Sequence, residues 1–341
     1  MTSLVTLPNV MAGIIVLALN AYVLSGGADF GGGMWDLLAS GPRRDRQREL
    51  IARAIGPIWE ANHVWLIFVV VLLFTCFPPA FATITTELHV PLALLLIGIV
   101  LRGSGFTFRT FASSDRVKKR WGLVFSLSSF LTPALLGAAI GALASGAVGR
   151  ASALATPTFS ERFILPWANP FALSVGAMAL ALFAFLAAVY LSVEAEGDPE
   201  LQEDFRRRSL GSAVAVFVCA FGTLVLAGEH APRMMDVLTR SPAAVPLHLA
   251  TGLVALVAIG ALMKRSYRVA RIAAVVQVSL ILWGWAVGQF PYVVPPTLTL
   301  EGTAAAPITL RLTLIAVAVG VLVVIPSLVY LFRIFKGQPS A

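Results

Sequence analysis

Cysteine is almost absent: Cys76 and Cys219 are the only two in 341 residues. With no CxxC, CxxCH or zinc-type spacing, the sequence has no cysteine-based site for a metal, an iron–sulfur cluster or covalent haem. Histidine is nearly as sparse, with four residues and no H-E-x-x-H. No Ser-His-Asp order and no nucleotide motif is present, so nothing indicates an autonomous active site. Charged residues make up 12% of the chain and hydrophobic residues 58%, whereas soluble domains average roughly 25% charged. The first apolar run lacks a basic leader and an A-x-A site, and is expected to be a retained span. The net charge of +8 does not point to nucleic acid, because no basic soluble domain exists to carry it. The basic residues sit in short loops beside apolar runs, where anionic lipid headgroups are the natural partner.

What remains is a run of hydrophobic segments, each long enough for a membrane helix of about 20 residues. The sequence predicts an all-α polytopic membrane protein, a single integral membrane domain over 1–341, with nine spans near 8–30, 54–76, 80–102, 121–145, 167–191, 209–228, 245–263, 270–290 and 309–332. Two four-helix bundles, 8–145 and 167–290, with a peripheral ninth helix at 309–332, are the expected layout. Lys and Arg fall on alternate loops: Arg43, Arg44, Arg46, Arg48 and Arg53; then Arg109, Arg116, Lys118, Lys119 and Arg120; then Arg206, Arg207 and Arg208; then Lys264, Arg265, Arg268 and Arg271; finally Arg333 and Lys336. The positive-inside bias places the N-terminus outside and the C-terminus in the cytoplasm. The acidic-then-basic stretch 193–208 reads as a solvated linker, and the Pro-rich connection 291–308 as irregular.

An ionisable group inside a span costs at least about 2–3 kcal/mol on insertion scales and needs a partner, water or a function. The candidates are Asp29, Glu60, His63, Glu87, His89 and Arg102. Asp29 lies seven residues before Asp36, Glu60 seven after Arg53, and Arg102 seven before Arg109. At 1.5 Å rise per residue, each is at most ~10 Å from the basic boundary, so two carboxylates and one guanidinium share a level. Such a group is either a proton carrier or a buried ion-pair network that fixes helix packing. His63 shares a helix face with Glu60 and is expected near mid-bilayer, with Glu87 and His89 deeper on the third span. His63 and His89 are either an axial haem pair or two hydrogen-bonded core histidines. The run Gly26 to Gly33 resembles a phosphate loop only superficially. No strand precedes it and no Gly-Lys-Ser/Thr follows, so its glycines are expected to allow close helix approach. Trp59 and Trp65 flank the Glu60/His63 turn.

The segment Ala28-Asp29-Phe30-Gly31-Gly32-Gly33-Met34-Trp35, followed by Arg53-Ala54-Ile55-Gly56-Pro57-Ile58-Trp59-Glu60-Ala61-Asn62-His63-Val64-Trp65-Leu66, closely resembles subunit II of the cytochrome bd family of quinol oxidases. Leu101-Arg102-Gly103-Ser104-Gly105-Phe106-Thr107-Phe108-Arg109 and Gly288-Gln289-Phe290-Pro291-Tyr292 are similar too. The resemblance implies a haem-free subunit of a bacterial inner-membrane complex that oxidises quinol and reduces O2 to water. Its partner, subunit I, would carry haem b and haem d, or haem b alone, together with the quinol site. Small single-helix accessory subunits and a structural quinone are further expectations. The resemblance also assigns Glu60 to a proton path, at a position where better-known members carry Asp; from their common depth, Asp29 and Arg102 are expected to form a water-accessible cytoplasmic entrance with it. Trp65 matches a residue beside an oxygen-access route proposed in some members. His63, Trp59, Glu87 and His89 complete the candidate set for supporting the path or oxygen access. From other classes, a proton-coupled secondary transporter and a purely structural assembly subunit are the competing readings.

Overall fold

The computed structural model describes residues 5–56 and 59–336, with the side chains of 59–61, 328 and 331–336 outside the description. The chain is helical nearly throughout: α1 (Leu7–Leu37), α2 (Arg44–Ile55), α3 (Trp59–Cys76), α4 (Pro78–Glu87), α5 (His89–Phe111), α6 (Asp115–Ala144), α7 (Ala147–Ser152), α8 (Phe159–Phe163), α9 (Pro170–Glu194), α10 (Pro199–His230), α11 (Pro232–Arg240), α12 (Ala244–Met263), α13 (Tyr267–Gln289), α14 (Leu300–Thr303) and α15 (Pro307–Lys336). Strands β1 (Tyr292–Val294) and β2 (Leu298–Thr299) form a small antiparallel ladder between α13 and α14. Among the described residues, eight helices are long and apolar enough to cross a membrane: α1, α5, α6, α9, α10, α12, α13 and the Pro307–Ser327 part of α15. The segment expected as the second span is α3, whose described apolar part, Asn62–Cys76, is shorter.

Several boundaries differ from the expectation, each for a local reason. Arg44–Ile55 is a helix, not a loop. Gln47, Leu50, Ile51 and Ile55 are its buried face, at helical spacing, while Arg44, Arg46 and Arg53 are exposed. The third apolar run is two helices: α4 ends at Glu87, Leu88 leaves helical geometry, and the spanning helix α5 starts at His89. The stretch 193–208 is not a solvated linker. Asp198 caps α10 by accepting from the Leu201 amide at 3.2 Å, Pro199 occupies the first helical turn, and the helix runs on into the membrane segment. The 291–308 connection is ordered by the β1–β2 pairing, Tyr292 opposite Thr299 and Val294 opposite Leu298, and by α14.

The largest core cluster joins α1 (Leu19, Tyr22, Val23, Phe30, Met34) to α9 (Phe183, Phe185, Leu186, Val189) and α13 (Ala270, Ala274, Val278, Leu282). The glycine run makes that junction. A Cβ at Gly31 would lie 2.0 Å from the Phe183 carbonyl oxygen, and one at Gly33 2.1 Å from Ser129 Oγ. Only glycine lets α1 come this close to α9 on one side and α6 on the other.

Candidate functional site: a two-rung ionic ladder between α1 and α5

Helices α1 and α5 run in the same direction, and each carries an ionisable residue twice at a seven-residue interval. Asp29 and Asp36 lie on α1, and Arg102 and Arg109 on α5. Seven residues are two turns, about 10 Å along the axis, so both pairs meet. In the deeper rung, Arg102 Nη2 donates to Asp29 Oδ1, and also to the Asp29 carbonyl oxygen at 3.4 Å. Both side chains are buried, at 1% and 3% exposure. The guanidinium lies 4.8 Å from the Phe30 ring centroid and 5.2 Å from that of Phe125, so ring faces replace part of its lost hydration. In the second rung, toward the end of the bundle that holds the basic turns, Arg109 Nη1 donates to Asp36 Oδ2 at 2.9 Å. Ser126 Oγ adds a donor to the same oxygen at 3.3 Å, and Arg48 Nε from α2 approaches it at 4.0 Å. A cavity of about 40 Å³ borders this rung, lined by Asp36, Arg109, Thr110, Ile51 and Phe106 among others.

The α5–α6 contact fixes the rungs. A Cβ at Gly105 would lie 2.8 Å from the Phe125 amide nitrogen, and one at Gly98 2.3 Å from Thr132 Oγ1. The two helices therefore close on each other above and below Arg102. The first turns of α3 approach the deeper rung from another side. The His63 ring is 6.2 Å from Phe30 and 6.4 Å from Tyr22, and Asn62 is buried. The Asn62 amide faces the Asp29 carboxylate, while His63 Nδ1 and Nε and Nη1 of Arg102 have no hydrogen-bond partner among the described residues. Buried polar atoms of this kind require partners, so the locus is built for additional polar contacts. Glu60 and Trp59 open α3 within one turn of His63, but their side chains lie outside the described residues. Trp65 is half-buried against the main core cluster.

The other candidates go elsewhere. Glu87 and His89 are not deep in a span; they flank the α4–α5 break at the opposite end of the bundle. Glu87 takes a bidentate pair from Arg162 of α8, at 2.8–3.2 Å. That pairing holds the Arg162 guanidinium above its ordinary pKa through the Glu87 hydrogen bond. His89 is exposed, with its Nδ1 2.8 Å from the Thr86 carbonyl oxygen and its ring 4.7 Å from that of Phe163. His89 is thirteen residues, roughly 20 Å of helix, from Arg102. His63 lies at the level of Arg102, so the two histidines are not brought together. Among the described residues, no three His, Cys, Asp or Glu side chains converge as a metal-binding group. The second rung and the Glu87–Arg162 clamp escaped the sequence reading. The rung had a signal, the matched seven-residue spacing on two spans; the clamp had none.

Stacked apolar helices with an ionic ladder at one interface define a multi-pass, all-helical membrane protein. Comparison with known proteins narrows this. The model of the family "Cytochrome bd terminal oxidase subunit II" matches residues 7–335, and the chain belongs to that family. It is 26% identical over 206 residues to "Cytochrome bd-I ubiquinol oxidase subunit 2" of Escherichia coli strain K12, a match covering 60% of this chain and 53% of that protein. The matched part thus spans about half the length of that relative. It is 31% identical over 124 residues to "Cytochrome bd ubiquinol oxidase subunit 2" of Bacillus subtilis strain 168, 36% of each chain. Its fold is similar to a chain in the structure of bd oxidase from Geobacillus thermodenitrificans, with a TM-score of 0.82 and 21% identity, covering 98% of this chain and 100% of that one.

Proposed function

We propose that this chain is the haem-free subunit II of a quinol oxidase in a bacterial cytoplasmic membrane. In this reading a haem-bearing subunit I, which also binds the quinol, is its partner, the N-terminus faces outward and the C-terminus the cytoplasm. The observation that carries the reading is the family match across 7–335. The complex would oxidise two quinols per O2, passing four electrons to form two waters, with the haems of subunit I doing the redox chemistry. This chain would stabilise subunit I and give protons a route from the basic, cytoplasmic end. Glu60, Asp29 and Arg102 are the proposed path, with Trp65 and His63 as its surroundings or an oxygen-access element. The orphan polar atoms around Asp29 and the small cavity beside Asp36 and Arg109 support a hydrated route at that end. A carboxylate beside a fixed guanidinium can hold a proton position without leaving an uncompensated charge. The two-bundle division, with α15 peripheral, belongs to the same proposal and is supported by the wide exposure of α15, where Leu322 is 75% exposed. The spans that carry Asp29 and Arg102 are unbroken helices. A carrier with its substrate site there would use discontinuous ones.

The test is mild-detergent purification of the tagged chain from its native membrane, with a reduced-minus-oxidised visible spectrum and quinol-driven O2 uptake. Stoichiometric haem on a co-purifying partner, with oxidase activity, is expected. A colourless chain without such a partner would overturn the reading.

A further inference from the structure

The basic residues at the ladder end of the bundle differ in how they are partnered. One set is neutralised within the chain. Arg43 pairs with Asp204 at 2.6 Å, Arg46 with Asp198 and Glu200, Arg206 and Arg207 with Glu203, Arg265 with Glu203, and Arg268 with Glu196. Arg44, Arg53 and Lys264 are exposed without an ion pair on separate turns, whereas Arg116, Lys118, Lys119 and Arg120 cluster at the start of α6, also exposed and forming no ion pair among the described residues.

The geometry of α6 gives this cluster a direction. Arg116, Arg120, Leu123, Leu127 and Leu131 follow one another at three- and four-residue steps and share one helix face. All five are exposed, the leucines at 50%, 53% and 48%. The opposite face, Phe125, Ser126, Ser128, Ser129 and Thr132, is buried against the bundle. Lys119 lies beside Arg116 on the outward side. The stripe therefore starts with cations and continues for more than two turns as bare leucine. Beside it, the exposed Phe108 ring packs 4.8 Å from Trp121, an aromatic pair of the kind that settles at headgroup depth.

We infer that this face is a binding site for an anionic phospholipid of the leaflet on which the basic turns lie. Arg116, Lys119 and Arg120 would take the phosphate, and Leu123, Leu127 and Leu131 an acyl chain. Charge complementarity selects the headgroup, and the continuity of cations into an apolar stripe selects a lipid over a free anion. The inference stands independently of the oxidase reading.

The test uses the full complex as extracted from its native membrane. First, a photoreactive amino acid is placed at Leu127 in the otherwise unchanged chain. Adducts to phospholipid are expected; adducts only to a polypeptide would overturn the site by showing that a protein covers this face. Second, the R116Q/K119Q/R120Q variant and an R207Q/R268Q control are reconstituted in discs mixing phosphatidylglycerol with phosphatidylcholine, and the lipids retained after detergent washing are quantified. Loss of phosphatidylglycerol preference by about fivefold per cation removed, in the first variant only, supports the site. Equal retention in both variants or equal loss in both would overturn it, as would full displacement of phosphatidylglycerol from the wild type by inorganic phosphate, which would mark a free-anion site.

Discussion

The junction of α1 with α6 and α9 and the outer faces of α10, α12 and α15 are built from nearly the same residue types, yet they do opposite things. On α1, α6 and α9, a Cβ added at Gly27, Gly31, Gly33, Gly137, Gly141 or Gly176 would meet a neighbour within 3 Å. On α10, α12 and α15, Gly222, Gly252, Gly260 and Gly320 have nothing within 4 Å, and Phe217, Leu253 and Leu322 stand 65–75% exposed. Lipid tails are as apolar as leucine, so no hydrophobic force separates the two regions. Close backbone approach and buried polar pairing make the first one a protein interior. The buried Asp29–Arg102 rung sits in that tight region, where a fixed geometry can be enforced.

The largest effect should come from Arg102→Met, which strands a buried carboxylate. Loss of about 3–5 kcal/mol is expected, read as a lower thermal midpoint of the purified complex. Asp29→Asn/Arg102→Met together should cost less than Arg102→Met alone, because no uncompensated charge is left. Next is Gly31→Val, which drives a side chain into the Phe183 backbone and should cost about 3 kcal/mol. Gly320→Val on the open face should change the midpoint by less than about 0.5 kcal/mol. Similar losses for both would erase the distinction between the two regions. Glu87→Gln weakens a clamp whose Arg162 partner is 37% exposed, and about 1 kcal/mol is expected, localised by faster hydrogen exchange around α8. The smallest effect concerns Glu161 in the α8 capping box. Its carboxyl is held below the ordinary 4.5 by the Thr158 hydrogen bonds. Because the folded pKa is depressed, its contribution is complete above that ordinary value and is lost as pH falls through the folded one. Wild type and Glu161→Gln should differ in α8 exchange near neutral pH and converge in acid.

The apolar spans were legible because a membrane helix must satisfy its backbone internally and so writes a long hydrophobic run. The helix α2 was not, since arginines dominate its composition and hide the spacing of Leu50, Ile51 and Ile55. The break at Leu88 was also hidden, because α4 and α5 are both apolar and no glycine marks the turn. For the ladder, depth could be counted from sequence: Asp29, Glu60 and Arg102 were expected at one level. Which carboxylate takes Arg102 depends on which helix lies beside α5, and hydropathy does not encode that. The structure pairs it with Asp29. Glu87 looked like an intramembrane acid only because its partner Arg162 is 75 residues away.

The most direct measurement is quinol-driven O2 uptake by a Glu60→Gln complex whose assembly and haem content match wild type. If the α3–α1–α5 cluster conducts protons, turnover should fall roughly tenfold, about 1.4 kcal/mol on the barrier, while the haem spectrum and thermal midpoint stay put. Wild-type turnover in that assembled variant would contradict the proton path and leave the buried charges as a packing device.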